Sequence, residues 1–486
     1  MPLDHCLALQ ATIHVIRCSQ WENPIAACQF FPALNKGLPM SIASDQQILV
    51  DRVAELVEAA KRAGADAADA VVMRSLSSSV SVRLGKVEGT ESAESDDMSL
   101  RVFVGRKVAS VSAAMNSDAA SLAERAVAMA KVSPEDPYQS LADKERLATE
   151  ILDLDLIDPT QVSAERLTED ALAAEAAAMA VEGVTKSSGA SASAGAGGLV
   201  LATSHGFVGA YSATRFSRAV SVIAGSGTAM ESDYDYSSRL HFADLAEPET
   251  IGHTAGERAV KRLNSRRVKT GVFPVVYDPR VARGLAGSFA AAINGASVAR
   301  KTSFLRDKMG QQIASAGVTI TDEPLRRRGP SSRPFDGEGV KGEKLTPVDK
   351  GVLKSWLLST SVGRELGLET NGHGVRSASS VTPASTNFAI EAGEVSPEEL
   401  VASIKSGFYV TDLFGHGTNL ITGDYSRGAA GFWIDNGEIA YPVAEVTIAS
   451  NLKDMFMRLV PASDLDRNFG TASPTLMIEG MTVAGE

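Results

Sequence analysis

Phe432-Trp433-Ile434-Asp435-Asn436-Gly437-Glu438-Ile439-Ala440-Tyr441 sets Asn-Gly between two short runs in which apolar residues recur. Asn and Gly accept the positive φ that a two-residue hairpin turn demands, and the twist of that turn matches the strands it joins. The stretch predicts an antiparallel hairpin turning at 436–437. Just upstream, Gly423-Asp424-Tyr425-Ser426-Arg427-Gly428-Ala429-Ala430-Gly431 mixes glycines with one Asp, one Tyr and one Arg. The glycines permit close backbone approach or positive φ. Asp424, Tyr425 and Arg427 supply directional hydrogen bonds. Two uses stay open for this loop: lining a peptide groove, or holding a sharp turn rigid.

Working back from there, Val272 to Tyr277 reads as a short apolar strand, and Asp278-Pro279 starts a helix. Asp caps it, and Pro at the first helical position loses no hydrogen bond. Val281, Leu285, Phe289 and Ile293 form its apolar stripe. Everything after that helix is strand-rich.

The first half has a different texture. Leu49, Val53, Leu56, Val57 and Ala60 give one apolar stripe on a helix from Ser44 to Gly64, with Ser44 as its cap and Gly64 at its end. Val80, Val82 and Leu84 alternate with polar residues, as do Leu100, Val102 and Val104. Gly105-Arg106-Lys107 separates the latter from Val108, Ser110 and Ser112, giving strand, turn, strand. Asn116 to Val132 returns to helical period with Leu122, Ala126 and Met129 on one side, and an Ala-rich helix runs from about Ser163 to Val181. Ser187 to Gly198 is nearly all Ser, Ala and Gly, and reads equally as a flexible linker or as a small-residue strand. A helix from Glu247 to Leu263 precedes Arg266-Arg267, where a boundary is placed.

The chain is expected to be α+β. Residues 40–265 form an N-terminal domain of helices and antiparallel strands, and 266–486 a mostly β, barrel- or sandwich-like C-terminal domain. Residues 1–39 hold every cysteine (Cys6, Cys18, Cys28) and lack the layout of a secretory signal; they are read as an upstream extension ahead of Met40, disordered or not made in the cell.

Composition narrows the chemistry. The 486 residues carry a net charge of −12 with no basic block, which argues against nucleic acid or an anionic membrane as partner. No run of about 18 apolar residues predicts a membrane span. Without cysteine after Cys28, the body has no disulfide framework, no Cys-ligated metal and no cysteine nucleophile. The seven histidines, at 5, 14, 205, 241, 253, 373 and 416, include no pair sharing a helical turn. His373, in Asn371-Gly372-His373-Gly374, and His416, in Gly415-His416-Gly417, read as exposed loop tips. Gly-x-Ser-x-Gly does not occur. Gly337 to Gly342 fails as a phosphate loop because Glu343 follows and the lysine comes late, at Lys344.

At Ile421–Trp433 the sequence resembles the TldD/PmbA family, specifically its PmbA (TldE) branch. The resemblance runs from about Ser44 to the C-terminus. Its other landmarks are Ser297-Val298-Ala299-Arg300-Lys301-Thr302-Ser303-Phe304-Leu305, Pro334-Phe335-Asp336-Gly337-Glu338-Gly339-Val340, Leu353-Lys354-Ser355-Trp356-Leu357-Leu358 and Ile448-Ala449-Ser450-Asn451-Leu452-Lys453-Asp454-Met455. It implies a heterodimeric zinc metalloprotease of the bacterial cytoplasm, acting on unfolded or small peptides. Family roles include peptide-antibiotic maturation and antitoxin degradation. In the TldD-type subunit a helix with two His and a Glu, together with a C-terminal Cys, holds zinc. The resemblance places Ala286, Gly287 and Ala291 at the corresponding helical positions here, and no Cys exists near the C-terminus. The chain is thus expected to be the metal-free, non-catalytic partner, with no cofactor of its own and zinc in a TldD-type paralogous subunit. Asp424, Tyr425, Arg427 and His416 are the candidate chamber, peptide or interface contacts. Two other readings are a stand-alone peptide-binding or chaperone-like module working by strand addition, and a hydrolase whose site assembles in space from residues such as Asp412, Asp424 and His416.

Overall fold

The computed structural model describes residues 46–227, 229–377 and 380–486. The N-terminal extension, its cysteines and the Ser44 cap lie outside the described residues. The chain divides into two compact units. Among the described residues, one comprises those through Pro134 with Ile157–Ile223 and Asp233–Gly256; the other comprises Glu135–Leu156, Ala224–Ser232 and Glu257–Glu486.

The first unit runs α1 (Gln46–Arg62), β1 (Ala67–Arg83), β2 (Lys86–Val104), β3 (Lys107–Ala113), α2 (Ala119–Val132), α3 (Ala164–Met179), β4 (Val184–Thr203), β5 (Val208–Ala224), β6 (Glu231–Arg239) and α4 (Pro248–Lys261), the last three reaching a few residues into the second. Its sheet has the order β3-β2-β1-β4-β5-β6. β1 and β2 pair antiparallel from Ala67↔Phe103 to Arg83↔Lys86. The Ser/Ala/Gly tract is strand, inside β4, facing an equally small-sided β1 through pairs such as Ser77↔Gly195 and Ser79↔Ser193. Val53, Leu56 and Ala60 of α1 and Leu122, Ala123 and Ala126 of α2 share one core with Val72, Leu100 and Val200 of the sheet. Burying each large aliphatic side chain there contributes about 1.5–3 kcal/mol. The inward face of α2 is set by Leu122, Ala126 and Ala130, and Met129 points outward, 43% exposed. The expected stripe is one position off there, because a run of alanines on two sides blurs the helical period.

The second unit runs β7 (Gly271–Tyr277), α5 (Pro279–Ala292), α6 (Gly295–Ala299), β8 (Ile320–Asp322), β9 (Leu345–Asp349), β10 (Val352–Leu353), α7 (Thr360–Glu365), β11 (Gly374–Arg376), β12 (Val381–Pro383), β13 (Phe388–Ile390), α8 (Pro397–Ala402), β14 (Ser406–Phe414), β15 (Asp424–Asp435), β16 (Glu438–Asn451), α9 (Leu452–Met457), β17 (Leu459–Pro461), β18 (Thr471–Ala472) and β19 (Leu476–Ala484). β16, β15, β14, β7 and β19 follow one another in one sheet, and β16 also pairs with β19, closing a five-stranded ring. The hairpin turn at Asn436 and Gly437 has φ of 50° and 84°, both left-handed as the Asn-Gly pair foretold. A second sheet, β10-β9-β8-β13-β18, lies on the other side of α5. That helix contacts β7 and β14 of the ring and β13 and β18 of the second sheet. Asp278 caps it by accepting from the Arg280 N–H at 2.9 Å. Leu285 and Phe289 are buried as the stripe required, and the Phe289 ring stacks on Phe456 with centroids 3.5 Å apart.

Candidate functional site

Helix α5 is central to the second unit, and its side chains decide what that centre can do. From Pro279 to Ala292 it carries no His, Asp, Glu or Cys. Ala286 is fully buried in the aliphatic core. Gly287 opens onto free space, with nothing within 4 Å of where a Cβ would stand. Ala291 is half-buried.

The strand singled out in the sequence is β15 of the ring itself. Asp424 is exposed at the start of β15; its carboxylate accepts from Thr422 Oγ1 at 2.6 Å and from Asn451 Nδ2 at 3.1 Å. Those two hydrogen bonds, the Thr422 one foremost, hold its pKa below the ordinary carboxyl value. Tyr425 is 3% exposed and belongs to the ring's core. Burial pushes its phenol pKa up, partly offset by its hydrogen bond with Tyr277. The Tyr277 hydroxyl also lies 3.4 Å from Met481 Sδ. Arg427 is half-buried and donates to the Phe414 carbonyl from Nε at 3.3 Å and to the Leu413 carbonyl at 3.4 Å, tying β15 to the end of β14. His416 is exposed between Gly415 and Gly417. Asp412 accepts from Arg262 at 3.1 Å. Among the described residues no hydrogen bond or ion pair joins any two of Asp412, Asp424 and His416; each carboxylate has its own partner.

His373 corrects the sequence reading. It is not a loop tip: it is fully buried. Its Nε2 lies 3.2 Å from Asp322 Oδ1, and its Nδ1 lies 2.9 Å from the Asn371 carbonyl. Asp322, also fully buried, accepts from the Thr386 N–H at 2.8 Å. Nearby, Asp336 accepts from the N–H groups of Glu338, Val340 and Gly374 at 2.8, 2.9 and 2.8 Å. Burial raises its pKa, opposed by Arg333 and by these three donors. Glu338 in turn takes the Thr360 N–H at 2.7 Å. A Cβ on Gly374 would stand 2.9 Å from Asp336 Oδ2 and 3.0 Å from Glu338 Oε2, so only glycine fits between the two acids. Flanking glycines made His373 look like a turn, yet here Gly374 lets the backbone press against two buried carboxylates, and Gly372 lets it press against the Lys341 carbonyl. The Asp-Gly-Glu-Gly spacing at 336–339 was the available signal.

Family profiles described as the PmbA/TldA metallopeptidase domain 1, central domain and C-terminal domain match residues 68–130, 157–263 and 270–485. The chain belongs to the PmbA/TldD family. It is 36% identical over 92% of its length to "Metalloprotease PmbA" of Escherichia coli O157:H7, covering 98% of that protein. It is 35% identical over 91% of its length to "Metalloprotease PmbA homolog" of Haemophilus influenzae, again covering 98%. TldE from Thermococcus kodakarensis, 21% identical, superposes with a TM-score of 0.78 over 89% of this chain and 100% of that one, which shows the shared fold.

The PmbA/TldD family is one of metallopeptidases, so the donor chemistry has to be tested against zinc. Zinc needs imidazole, thiolate or carboxylate donors converging tetrahedrally. Among the described residues no three His, Cys, Asp or Glu side chains are grouped to hold a metal ion. On α5, the positions that the sequence resemblance sets opposite metal ligands offer a methyl group at Ala286, a hydrogen at Gly287 and a methyl group at Ala291. The donor set does not fit. Among the described residues no helix is long and apolar enough to cross a membrane.

Proposed function

We propose that this chain is the metal-free, non-catalytic subunit of a heterodimeric TldD/PmbA-type zinc metalloprotease of the bacterial cytoplasm. Zinc and the activated water belong to a TldD-type paralogous subunit. This chain completes the chamber in which unfolded or small peptides are processed. The observation that supports the reading is α5: a capped, well-packed helix, the one the sequence resemblance sets opposite a zinc helix, with no lone pair to offer a metal at 286, 287 or 291. The ring beside it carries Asp424 and Arg427 on one strand, and these, with the exposed His416, are the residues assigned to the chamber or interface, while the buried Tyr425 supports that strand from the core.

Co-expression with a TldD-type paralogue from the same genome tests it. The two chains are expected to co-purify, with one zinc per heterodimer by elemental mass spectrometry, and to cleave an unstructured reporter peptide. The isolated chain is expected to bind no stoichiometric zinc and cleave nothing. One zinc per isolated chain, or peptidase activity without the partner, overturns the reading.

A further inference from the structure

The turn after α6 holds an unusual residue. Arg300 caps the helix, and Lys301 follows with φ of 60°. Lys301 N–H donates to the Val298 carbonyl at 3.0 Å and Thr302 N–H to the Ser297 carbonyl at 2.8 Å. This is the two-bond helix stop whose left-handed position glycine normally fills, because a side chain there strains the backbone. A lysine occupies it instead. Around it, Arg300, Lys301, Arg306 and Lys308 are all exposed, and the one acid in the loop, Asp307, pairs with Arg306 at 3.1 Å. Among the described residues neither the Arg300 guanidinium nor the Lys301 ammonium has a hydrogen-bond or ion-pair partner. Phe304 N–H donates to the Leu420 carbonyl at 2.8 Å, which sets this loop against Ile421, 59% exposed.

We infer that the 300–308 loop with Ile421 is a docking surface for an extended acidic peptide segment that alternates carboxylates with aliphatic residues. The cations match the carboxylates and the exposed isoleucine matches the aliphatic side chains. The loop's single aromatic ring, Phe304, is buried, so no ring is presented for stacking on nucleic-acid bases. The chain's net charge of −12 repels a long polyanion, whereas a short acidic segment feels mainly the cations within a screening length of about 10 Å. Glycine, the easier residue at the left-handed position of Lys301, would bring no charge. The surface stands independently of the zinc chemistry.

The test is fluorescence anisotropy on the full chain with a short labelled Glu-Ser-Leu repeat peptide, a Lys-Ser-Leu repeat and a labelled single-stranded RNA. The acidic peptide is expected to bind, and raised salt to weaken it. The variant R300S/K301G is expected to weaken binding about tenfold, as the loss of two or more exposed ion pairs implies. K301G alone relieves strain, so a melting temperature at or above wild type will show that the fold is intact. No binding of the acidic peptide, unchanged affinity in R300S/K301G, or RNA bound more tightly than the peptide overturns the inference. The assay contains neither zinc nor partner, so a negative result leaves the subunit proposal standing.

Discussion

The carboxylate of Glu175, on α3, accepts the backbone N–H of Leu84 at 2.8 Å and holds the tip of the β1–β2 hairpin onto that helix. Its other oxygen takes the Gly85 N–H, also at 2.8 Å. Leu84 and Gly85 have φ of 53° and 73°, so the turn points both N–H groups the same way. Glu175 is 2% exposed. Removing it in Glu175→Ala strips both donors of a charged acceptor and is expected to cost about 2–3 kcal/mol. Urea denaturation measures this; a loss under about 0.5 kcal/mol would mean that water replaces the carboxylate without penalty.

Two glycines, one inside α5 and one just after it, should respond in opposite directions. Gly284, in the middle of α5, has nothing within 4 Å of where a Cβ would stand. Gly284→Ala is therefore expected to stabilise by up to about 1 kcal/mol, the helical cost of glycine. At Gly295 the same methyl would stand 2.6 Å from Leu358 Cδ2 and 2.8 Å from the Leu357 carbonyl. Gly295→Ala is expected to destabilise by about 1–3 kcal/mol through overpacking. Paired thermal melts decide it, and equal signs would refute this packing.

Much of this was legible in the sequence, and the misses share a cause. The Asn436-Gly437 turn, the Asp278-Pro279 helix start and the Leu285/Phe289 stripe are local signals, written in residues a few positions apart. Ring closure is not local: β16 and β19 meet at Ile448↔Val483, and no periodicity encodes that meeting. His373 failed for the same reason. Its immediate neighbours in sequence are glycines, but the carboxylate against its ring is Asp322, which arrives from a strand 51 residues earlier. Arg427 showed itself as a donor without showing that its acceptors would be the carbonyls of Leu413 and Phe414.

Asp424 should leave a mark on acid stability. Its folded pKa is lowered by Thr422 and Asn451, so its contribution is fully present above the unfolded carboxyl pKa and is lost as pH falls through the folded one. Asp424→Ala is expected to lower the melting temperature slightly at neutral pH and to flatten its fall on acidification. Parallel curves for the two proteins across the carboxyl range would show that the two hydrogen bonds do not favour the charged form.

Placing a metal donor on α5 is expected to harm the fold before it helps any metal. Ala286 has no exposed surface, and its neighbours include Leu285 and Phe289. Ala286→His inserts a larger polar ring into that packing and is expected to cost about 2 kcal/mol or more. Gly287→Glu, facing open space, is expected to fold normally. Circular-dichroism melts of both variants check this, and a stable Ala286→His protein would show that the core has room the packing denies.

The closed ring also sets a timetable for biosynthesis. β7 must wait for β19, roughly 200 residues further along the chain, before its second edge is covered. At about 5–20 residues per second, a ribosome leaves that apolar edge without its final neighbour for roughly 10–40 s. A nascent chain in that condition is a natural client for holding chaperones, and slowing translation between Tyr277 and Leu476 should raise its aggregation more than slowing it anywhere upstream.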